Sequence, residues 1–216
     1  MVSHQSPPQT ATFSDRLGVL CILLVVLGLN VVDRYRVAPP WLGEATFALL
    51  AVCVAVATIT KSPFWHRVQM YVIWGTVLLG LVLNSWNLAN VVNKLAFHSV
   101  AASTLFYTAA TIWLNNMLCF TLLYWLIDGG GPGARRAGGS LPDFDFPASN
   151  ATDKVRKDWQ PQLVDYLFLG FTTATAFSPT EALPLTPRAK LLMMFESAIS
   201  LITVAVVAAR AINIIQ

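Results

Sequence analysis

Long runs of apolar residues alternate with short polar gaps along most of this chain. Four such runs precede residue 128, at positions 17–32, 41–60, 67–92 and 100–127, and a fifth covers 191–215. A helix that crosses a bilayer needs about 20 apolar residues, so we expect a membrane-spanning helix from each run. Arg34, Arg36 and a proline pair follow the first run where a signal peptide would need small residues for cleavage, which favours an uncleaved span.

A sixth apolar run, at 163–177, is too short to cross a bilayer. It ends at Ser178, Pro179, Thr180 and Glu181. The short length and the proline predict a helix that enters the membrane and turns back. Because irregular backbone at membrane depth needs protein or water to satisfy its N–H and C=O groups, we expect a permeation path or a binding site beside this turn.

The pattern as a whole predicts an all-α protein, a polytopic transmembrane helical bundle of about five spans plus a re-entrant pore helix and loop. It divides the chain into a mobile tail at 1–14, a four-span transmembrane region at 15–127, an extramembrane loop at 128–162, and the pore helix, loop and inner helix at 163–216. The loop is rich in glycine and shows no apolar periodicity, so we expect it to be flexible rather than a second domain.

Hydroxyl groups concentrate toward the end of the short run. A helix that ends inside the membrane presents partial negative charge and unpaired carbonyls, and threonine oxygens would add to a place where a cation is stabilised. Pro179 would end the helix, and Glu181 would lie at the mouth, where the carboxylates of several copies form a ring. The predicted ion path consists of Thr173, Thr175, Ala176, Phe177, Ser178, Pro179, Thr180 and Glu181. The alternative is a buried, proline-broken helix whose threonines bond back to their own carbonyls.

The last apolar run carries an acid among small residues. Ser197, Ala198 and Ser200 would allow close contact with neighbouring helices or with other copies of the chain. An ionised Glu196 that faced lipid would cost several kcal/mol, so this side chain should face protein or water, or carry a proton. Glu196 and Ser200 are the residues of this helix that belong to the predicted site.

Asparagines interrupt the third and fourth runs. Asn84 and Asn87 lie on neighbouring parts of one helical face, and Asn115 and Asn116 lie midway along the fourth run. Carboxamides are costly in lipid, so these faces should meet protein or water. Hydrogen bonds between helices and the lining of a polar path are both open at this point.

Residues 165–214 resemble the pore-loop and inner-helix module of potassium channels. In that family a short pore helix leads into Thr-Val-Gly-Tyr-Gly-Asp, and a Pro-x-Thr, a basic residue and the inner helix follow. Here Glu181 takes the position of the acid, Pro184-Leu185-Thr186 takes that of the Pro-x-Thr, and Lys190 takes that of the basic residue. The Phe-Thr-Thr run, the acid and the inner helix also resemble a group of bacterial membrane proteins of unknown function.

The chain departs from the potassium-channel pattern at the filter. Residues 176–180 carry neither of its glycines, and Ser200 stands where the inner helix often has a glycine hinge. Carbonyls can all face an ion only if the backbone alternates in hand, which glycine permits at low cost. The resemblance therefore implies an ion channel-like protein, a cation-conducting homo-oligomer with a filter that is not of the potassium type. The alternative is a non-conducting structural or accessory membrane protein.

Composition agrees with a chain that lies mostly in lipid, since 56% of its 216 residues are hydrophobic and 12% are charged. The net charge of +3 comes without a basic block, which argues against nucleic acid as a partner. Cys21, Cys53 and Cys119 lie in different apolar runs, without the spacing of a metal site or a disulfide. The sequence has no His-Glu-x-x-His or Gly-x-Ser-x-Gly motif, so we expect no enzyme, cofactor or metal.

A single re-entrant loop cannot enclose an axis, so the channel hypothesis requires a homo-oligomer, for which we expect a tetramer. The expected partners are other copies of the chain, the lipid bilayer and inorganic cations, and the expected location is the inner (plasma) membrane of a bacterium, as a multi-pass protein. Basic residues in the short loops are nearly balanced between the two sides of the membrane. The orientation, with Glu181 outside and the C-terminus in the cytoplasm, therefore rests on the resemblance.

Overall fold

The computed structural model describes residues 13–32, 52, 56, 63–97, 102–136, 141–147, 159–175 and 182–215. Helices account for 87% of these residues, which confirms the prediction of a mainly helical protein. Most of the predicted tail, the predicted span at 41–60 apart from two helical positions, and the predicted turn at 176–181 lie outside the described residues.

The described part of the chain contains six α-helices and two short strands. The helices are α1 (Phe13–Val32), α2 (Pro63–Phe97), α3 (Ala102–Ile127), α4 (Pro132–Arg136), α5 (Leu163–Thr175) and α6 (Pro187–Ile215). A 3₁₀ turn, Asp128–Gly130, follows α3 directly. The strands, β1 (Phe144–Asp145) and β2 (Leu183–Pro184), pair antiparallel with Phe144 opposite Pro184.

Three helices among the described residues are long and apolar enough to cross a membrane. Their spanning segments are Met70–Lys94 in α2, Ser103–Gly130 in α3 and the 3₁₀ turn that follows it, and Pro187–Ala209 in α6. The apolar parts of α1 and α5, Leu17–Val26 and Leu163–Thr175, are shorter than a span. These helices fit the predicted integral membrane protein, and five spans with a re-entrant helix stay a prediction.

Helix α3 is the centre of the bundle. Seventy-eight per cent of its spanning segment is buried, against 33% for α2 and 22% for α6. It packs against α1, α2, α5 and α6, and its Ile112, Phe120 and Tyr124 are almost completely buried. The large apolar side chains of α3 therefore form the core, while α2 and α6 leave most of their surfaces uncovered.

Two glycines permit close approach to α3. A Cβ added at Gly170 of α5 would lie 2.7 Å from Thr121 Oγ1 and 3.2 Å from the carbonyl oxygen of Met117. A Cβ added at Gly80 of α2 would lie 2.8 Å from Cys119 Sγ. Since small residues are what let membrane helices pack closely, α2 and α5 meet α3 at these glycines.

Helices α5 and α6 begin at the same end of the bundle and run in the same direction, opposite to α3. Tyr166, in the first turn of α5, donates to Asp128 Oδ2 at 2.6 Å, and Arg188, at the start of α6, donates to the carbonyl oxygen of Ile127 at 3.3 Å. Further along, Ser197 Oγ donates to the Thr173 carbonyl at 3.2 Å, each residue lying ten positions beyond the first residue of its helix. The two helices are therefore in register along the bundle.

Candidate functional site

Side chains of α3 and α6 donate hydrogen bonds to the last turn of α5, at the level of the middle of α3. Trp113, the twelfth of the 26 residues of α3, donates its indole N–H to the Ala174 carbonyl at 3.3 Å. On the other side, Ser197 of α6 bonds the Thr173 carbonyl. The final carbonyls of a helix have no partner within the helix. Here two of them are satisfied by side chains of the neighbouring helices, which fixes the position of the helix end.

The three threonines of α5 have two kinds of hydrogen-bonding environment. Thr172 donates back to the carbonyl of Phe168 at 2.9 Å, and Thr175 donates back to the carbonyl of Thr172 at 3.0 Å. Thr173 is 5% exposed, and its Oγ1 has no hydrogen-bond partner in the part of the chain that the structure describes. Of the predicted ion-path residues, Thr173 and Thr175 thus lie together in the last turn of α5. The other six, Ala176, Phe177, Ser178, Pro179, Thr180 and Glu181, lie outside the described residues.

An apolar groove lies between α3 and α6. It begins beside the end of α5 and extends toward the N-terminal end of α3. It encloses about 310 Å³ and is lined by Phe106, Ala109 and Trp113 of α3 and by Thr203 and Val207 of α6, among others. The groove exists because α5 fills the space between α3 and α6 along only half of their length. Trp113 contacts both the end of α5 and the groove.

Glu196 and Ser200, predicted as site residues, lie together in a buried polar cluster with Asn116 and Tyr124 of α3. Tyr124 Oη is 2.5 Å from Glu196 Oε2. Asn116 donates to the Glu196 carbonyl at 3.1 Å and to Ser200 Oγ at 3.0 Å. Glu196, Ser200, Asn116 and Tyr124 are all completely buried, so this cluster faces protein rather than lipid.

The asparagines of α2 and α3 meet across the helix interface. Asn115 Nδ2 donates to Asn84 Oδ1 at 3.4 Å, and both side chains are buried. Asn84 Nδ2 and Asn115 Oδ1 have no partner within the described ranges of the chain. Of the two readings open from the sequence, this contact corresponds to a hydrogen bond between helices.

A charged cluster joins the C-terminal end of α3 to the starts of α5 and α6. We call it the aspartate clasp. It consists of Asp128, Arg135, Asp143, Tyr166, Thr186 and Arg188. Arg188 donates from Nε to Asp143 Oδ1 at 2.6 Å and from Nη2 to Asp143 Oδ2 at 2.5 Å. Thr186 Oγ1 donates to Oδ1 at 2.5 Å, and the Gly129 N–H donates to Oδ2 at 3.1 Å.

Four donors thus surround a completely buried carboxylate. Burial by itself would raise the pKa of Asp143, but the hydrogen bonds from Arg188, Thr186 and the Gly129 backbone, with the Arg188 charge, hold this pKa below its usual value. The Asp143 side chain is therefore ionised at neutral pH, and it ties residue 143 of the long polar segment to the start of α6.

Asp128 forms the second half of the clasp. Its Oδ1 accepts the backbone N–H of Asp143 at 2.7 Å, and its Oδ2 accepts Tyr166 and pairs with Arg135. Gly129, Gly130 and Gly131 follow, with φ values of 59°, 81° and 96°, a left-handed region that glycine enters without strain. This turn lets α4 and the β1 segment fold back over the end of α3. Residues 141–147, predicted as part of a flexible loop, are in this way bonded to the helix ends.

Sequence reasoning missed the aspartate clasp. The residue that pairs with Asp143 is Arg188, which the sequence analysis did not single out, whereas Lys190 is exposed. One local signal was present, because Thr186-Pro187 is a typical helix start. Thr186 Oγ1 accepts the Ala189 N–H at 3.4 Å, so its hydroxyl caps α6 while it donates to Asp143. The partners Asp128 and Asp143 carry no such signal.

Among the described residues, no group of three or more His, Cys, Asp or Glu side chains is arranged to hold a metal ion. Comparison of the chain with protein-family models, with curated proteins and with solved structures finds no match. The function therefore has to be argued from the geometry of the half-length helix α5, the polar cluster beside it and the clasp that holds its start.

Proposed function

We propose that this chain is an ion channel-like membrane protein, a cation-conducting homo-oligomer in which α5 is a pore helix and residues 176–181 form the narrow part of the path. One observation carries the proposal: α5 starts at the same end of the bundle as α6 and stops at the middle of α3. A helix with one end at the surface and the other among spanning helices is the arrangement of a pore loop.

The dimensions support this reading. The 13 residues of α5 are about 20 Å long, which is less than the hydrocarbon core of about 30 Å. Ala182, the first described residue after the gap, directly precedes β2, which pairs with β1 beside the clasp. Seven peptide steps join Thr175 to Ala182 and span at most about 25 Å when extended. That length suffices for a return from the middle of the bundle to its end.

Electrostatics supports a cation as the permeating species. The C-terminal end of a helix carries about half a negative charge, and in α5 this end lies in the interior of the bundle. Each bonded carbonyl oxygen of the last turn keeps a second lone pair. Glu181 adds a carboxylate within the proposed path. Partial and full negative charges thus follow one another along the same short segment.

The homo-oligomer is part of the proposal because one pore helix cannot surround a path. Leu191, Met194 and Leu201 of α6 are each more than 60% exposed in the single chain. An inner helix with an uncovered apolar face has surface available for other copies as well as for lipid. We propose four copies around one axis, with the α6 helices nearest to it.

A second candidate function is a non-conducting structural or accessory membrane protein. The hydrogen bonds of α5 favour it, because Thr172 and Thr175 bond back to their own helix and two terminal carbonyls are occupied by Trp113 and Ser197. In this alternative the short helix serves packing alone. It predicts a monomer or dimer without a continuous wet path.

The two candidates are separated by reconstitution into liposomes. Under the channel proposal, purified protein conducts cations in flux assays and in planar bilayers, and Glu181→Gln lowers the cation conductance. The matched control is Asp158→Asn, which removes the same charge from the long polar segment and should leave the conductance unchanged. Pro179→Gly should also change the flux. A wild-type protein that passes no ion at any voltage, and whose mass in detergent is that of a monomer or dimer, would refute the channel.

A further inference from the structure

Glu196 is a fully buried acid with one polar contact at its carboxyl group. It lies on α6 within a spanning segment, and 0% of its surface is exposed. Tyr124 Oη is 2.5 Å from Oε2, and Oε1 has no hydrogen-bond partner among the described residues. A carboxylate has two oxygens and about four acceptor positions, so a charge here would be left largely unsolvated.

The described residues that contact the Glu196 carboxyl group carry no positive charge. From α3 it is faced by Tyr124, by Asn116, which donates to the Glu196 backbone, and by Phe120, whose ring packs on Phe195. On the side of α5, the neighbouring Ser197 donates to the Thr173 carbonyl. The buried polar side chains among the described residues of α2, Thr76 and Asn84, are uncharged, and Asn84 bonds Asn115. Among the described residues, Tyr124 is the titratable group in contact with the carboxyl.

The nearest cation on the same helix is Lys190, six residues before Glu196, and its side chain is exposed. Arg188 is the next, and it is bonded elsewhere. It lies eight residues before Glu196, about 12 Å along the axis. Its guanidinium is bonded to both oxygens of Asp143 and to the Ile127 carbonyl. Glu196 therefore has no counter-charge available by a rotamer change of Arg188.

Asp143 provides the contrast within the same protein. Both carboxyl groups are completely buried, but Asp143 has four donors, two of them from Arg188, whereas Glu196 has a phenol. A buried carboxylate stays ionised when it is paired with a cation and hydrogen-bonded, and it takes up a proton when it is not. The same degree of burial thus leads to opposite protonation states at the two positions.

We propose that Glu196 is a proton-binding site of the bundle: it is a neutral carboxylic acid at neutral pH, hydrogen-bonded to Tyr124, and it exchanges its proton with solvent when α3 and α6 separate. Separation of the two helices is then coupled to the release of one proton, and a higher pH favours the separated form. This inference does not depend on conduction, because it rests on the contact between α3 and α6 alone.

Infrared spectroscopy of the full-length protein in lipid tests the proposal directly. At neutral pH the wild type should show the C=O stretch of a protonated carboxylic acid. Glu196→Gln, which is nearly isosteric, should remove this band, and Asp143→Asn should leave it in place. Tyr124→Phe should move the band to higher frequency, because one hydrogen bond to the carboxyl is lost. Transfer into D₂O should shift the band slowly.

A second measurement needs no variant. A hydrophobic carbodiimide reacts with protonated carboxyl groups in apolar surroundings, so peptide mass spectrometry should find the adduct on Glu196 and not on Asp143. A wild type without the acid band at neutral pH would overturn the proposal, as would a band that persists in Glu196→Gln. Labelling of Asp143 in place of Glu196 would overturn it as well.

Discussion

Replacing Arg188 by alanine would leave Asp143 buried without its positive partner, and we expect a large loss of stability. Arg188 makes two charge-assisted hydrogen bonds to this carboxylate, and a bond to a charged group contributes about 1.5–3 kcal/mol. The Arg188 side chain is 58% exposed, so solvent screening reduces the contribution. Breaking a pair whose acid is buried costs about 3–5 kcal/mol. We therefore expect about 3 kcal/mol for Arg188→Ala.

Lys190→Ala is the matched control. It removes the same charge two residues further along α6, from an exposed side chain. Exposed substitutions of this kind change stability by about 0.5 kcal/mol or less. The double variant with Arg188→Ala and Asp143→Asn should lose less stability than the two single variants lose together, because no unpaired carboxylate is left in the protein interior.

The assay is unfolding of the purified protein in mixed micelles with increasing sodium dodecyl sulfate, followed by tryptophan fluorescence and far-UV circular dichroism. Since the folded pKa of Asp143 lies below the unfolded value of about 3.9, the carboxylate stabilises the wild type above about pH 4. This contribution disappears as the pH falls through the folded pKa.

In Arg188→Ala the buried carboxyl gains stability on protonation, so the difference from the wild type should shrink as the pH is lowered. Equal losses for Arg188→Ala and Lys190→Ala would refute the reasoning. A difference that is independent of pH would also refute it.

Three further changes test the contacts that position α5 and α6, each by the same unfolding assay. Gly170→Ala should destabilise the protein by about 1–3 kcal/mol because its Cβ would overlap α3. The control, Gly75→Ala, has no atom within 4 Å of the added Cβ and should be neutral or slightly stabilising. Equal effects of the two changes would contradict the close packing. Trp113→Phe should cost about 1 kcal/mol through the lost bond to α5, and no loss would mean that this bond does not hold the helix end. Asn116→Leu should cost about 1–3 kcal/mol because Ser200 Oγ loses its Asn116 donor and the Glu196 carbonyl loses the hydrogen bond that it accepts in addition to its helical one; unchanged stability would contradict that role.

The helices themselves follow from the sequence. The run at 163–177 predicts a short helix, and α5 covers Leu163–Thr175. The run at 191–215 predicts the last helix, and α6 begins slightly earlier, at Pro187, where Thr186 caps it. Apolar runs determine helices in this way because a backbone in lipid has to satisfy its own hydrogen bonds.

The candidate site was predictable only in part. Glu196 was expected to face protein or water, or to carry a proton, because an ionised acid in lipid is costly. Its actual partner, Tyr124, lies 72 residues away and carries no sequence signal that links it to α6. For the same reason the pairing of Arg188 with Asp143 could not be derived from the sequence, since Arg188 and Lys190 are both basic residues at the start of one helix.

The sequence alone determined which segments are helical, that the chain is suited to a membrane, and that the run at 163–177 is too short to cross it. Only the tertiary structure decided how far α5 extends along α3, which face of α6 meets α3, and which arginine neutralises which aspartate. The physical reason is that helix formation depends on local backbone bonding and on the surrounding lipid. Helix depth and rotation instead depend on close contacts such as Gly170 against Thr121, between residues far apart in the chain.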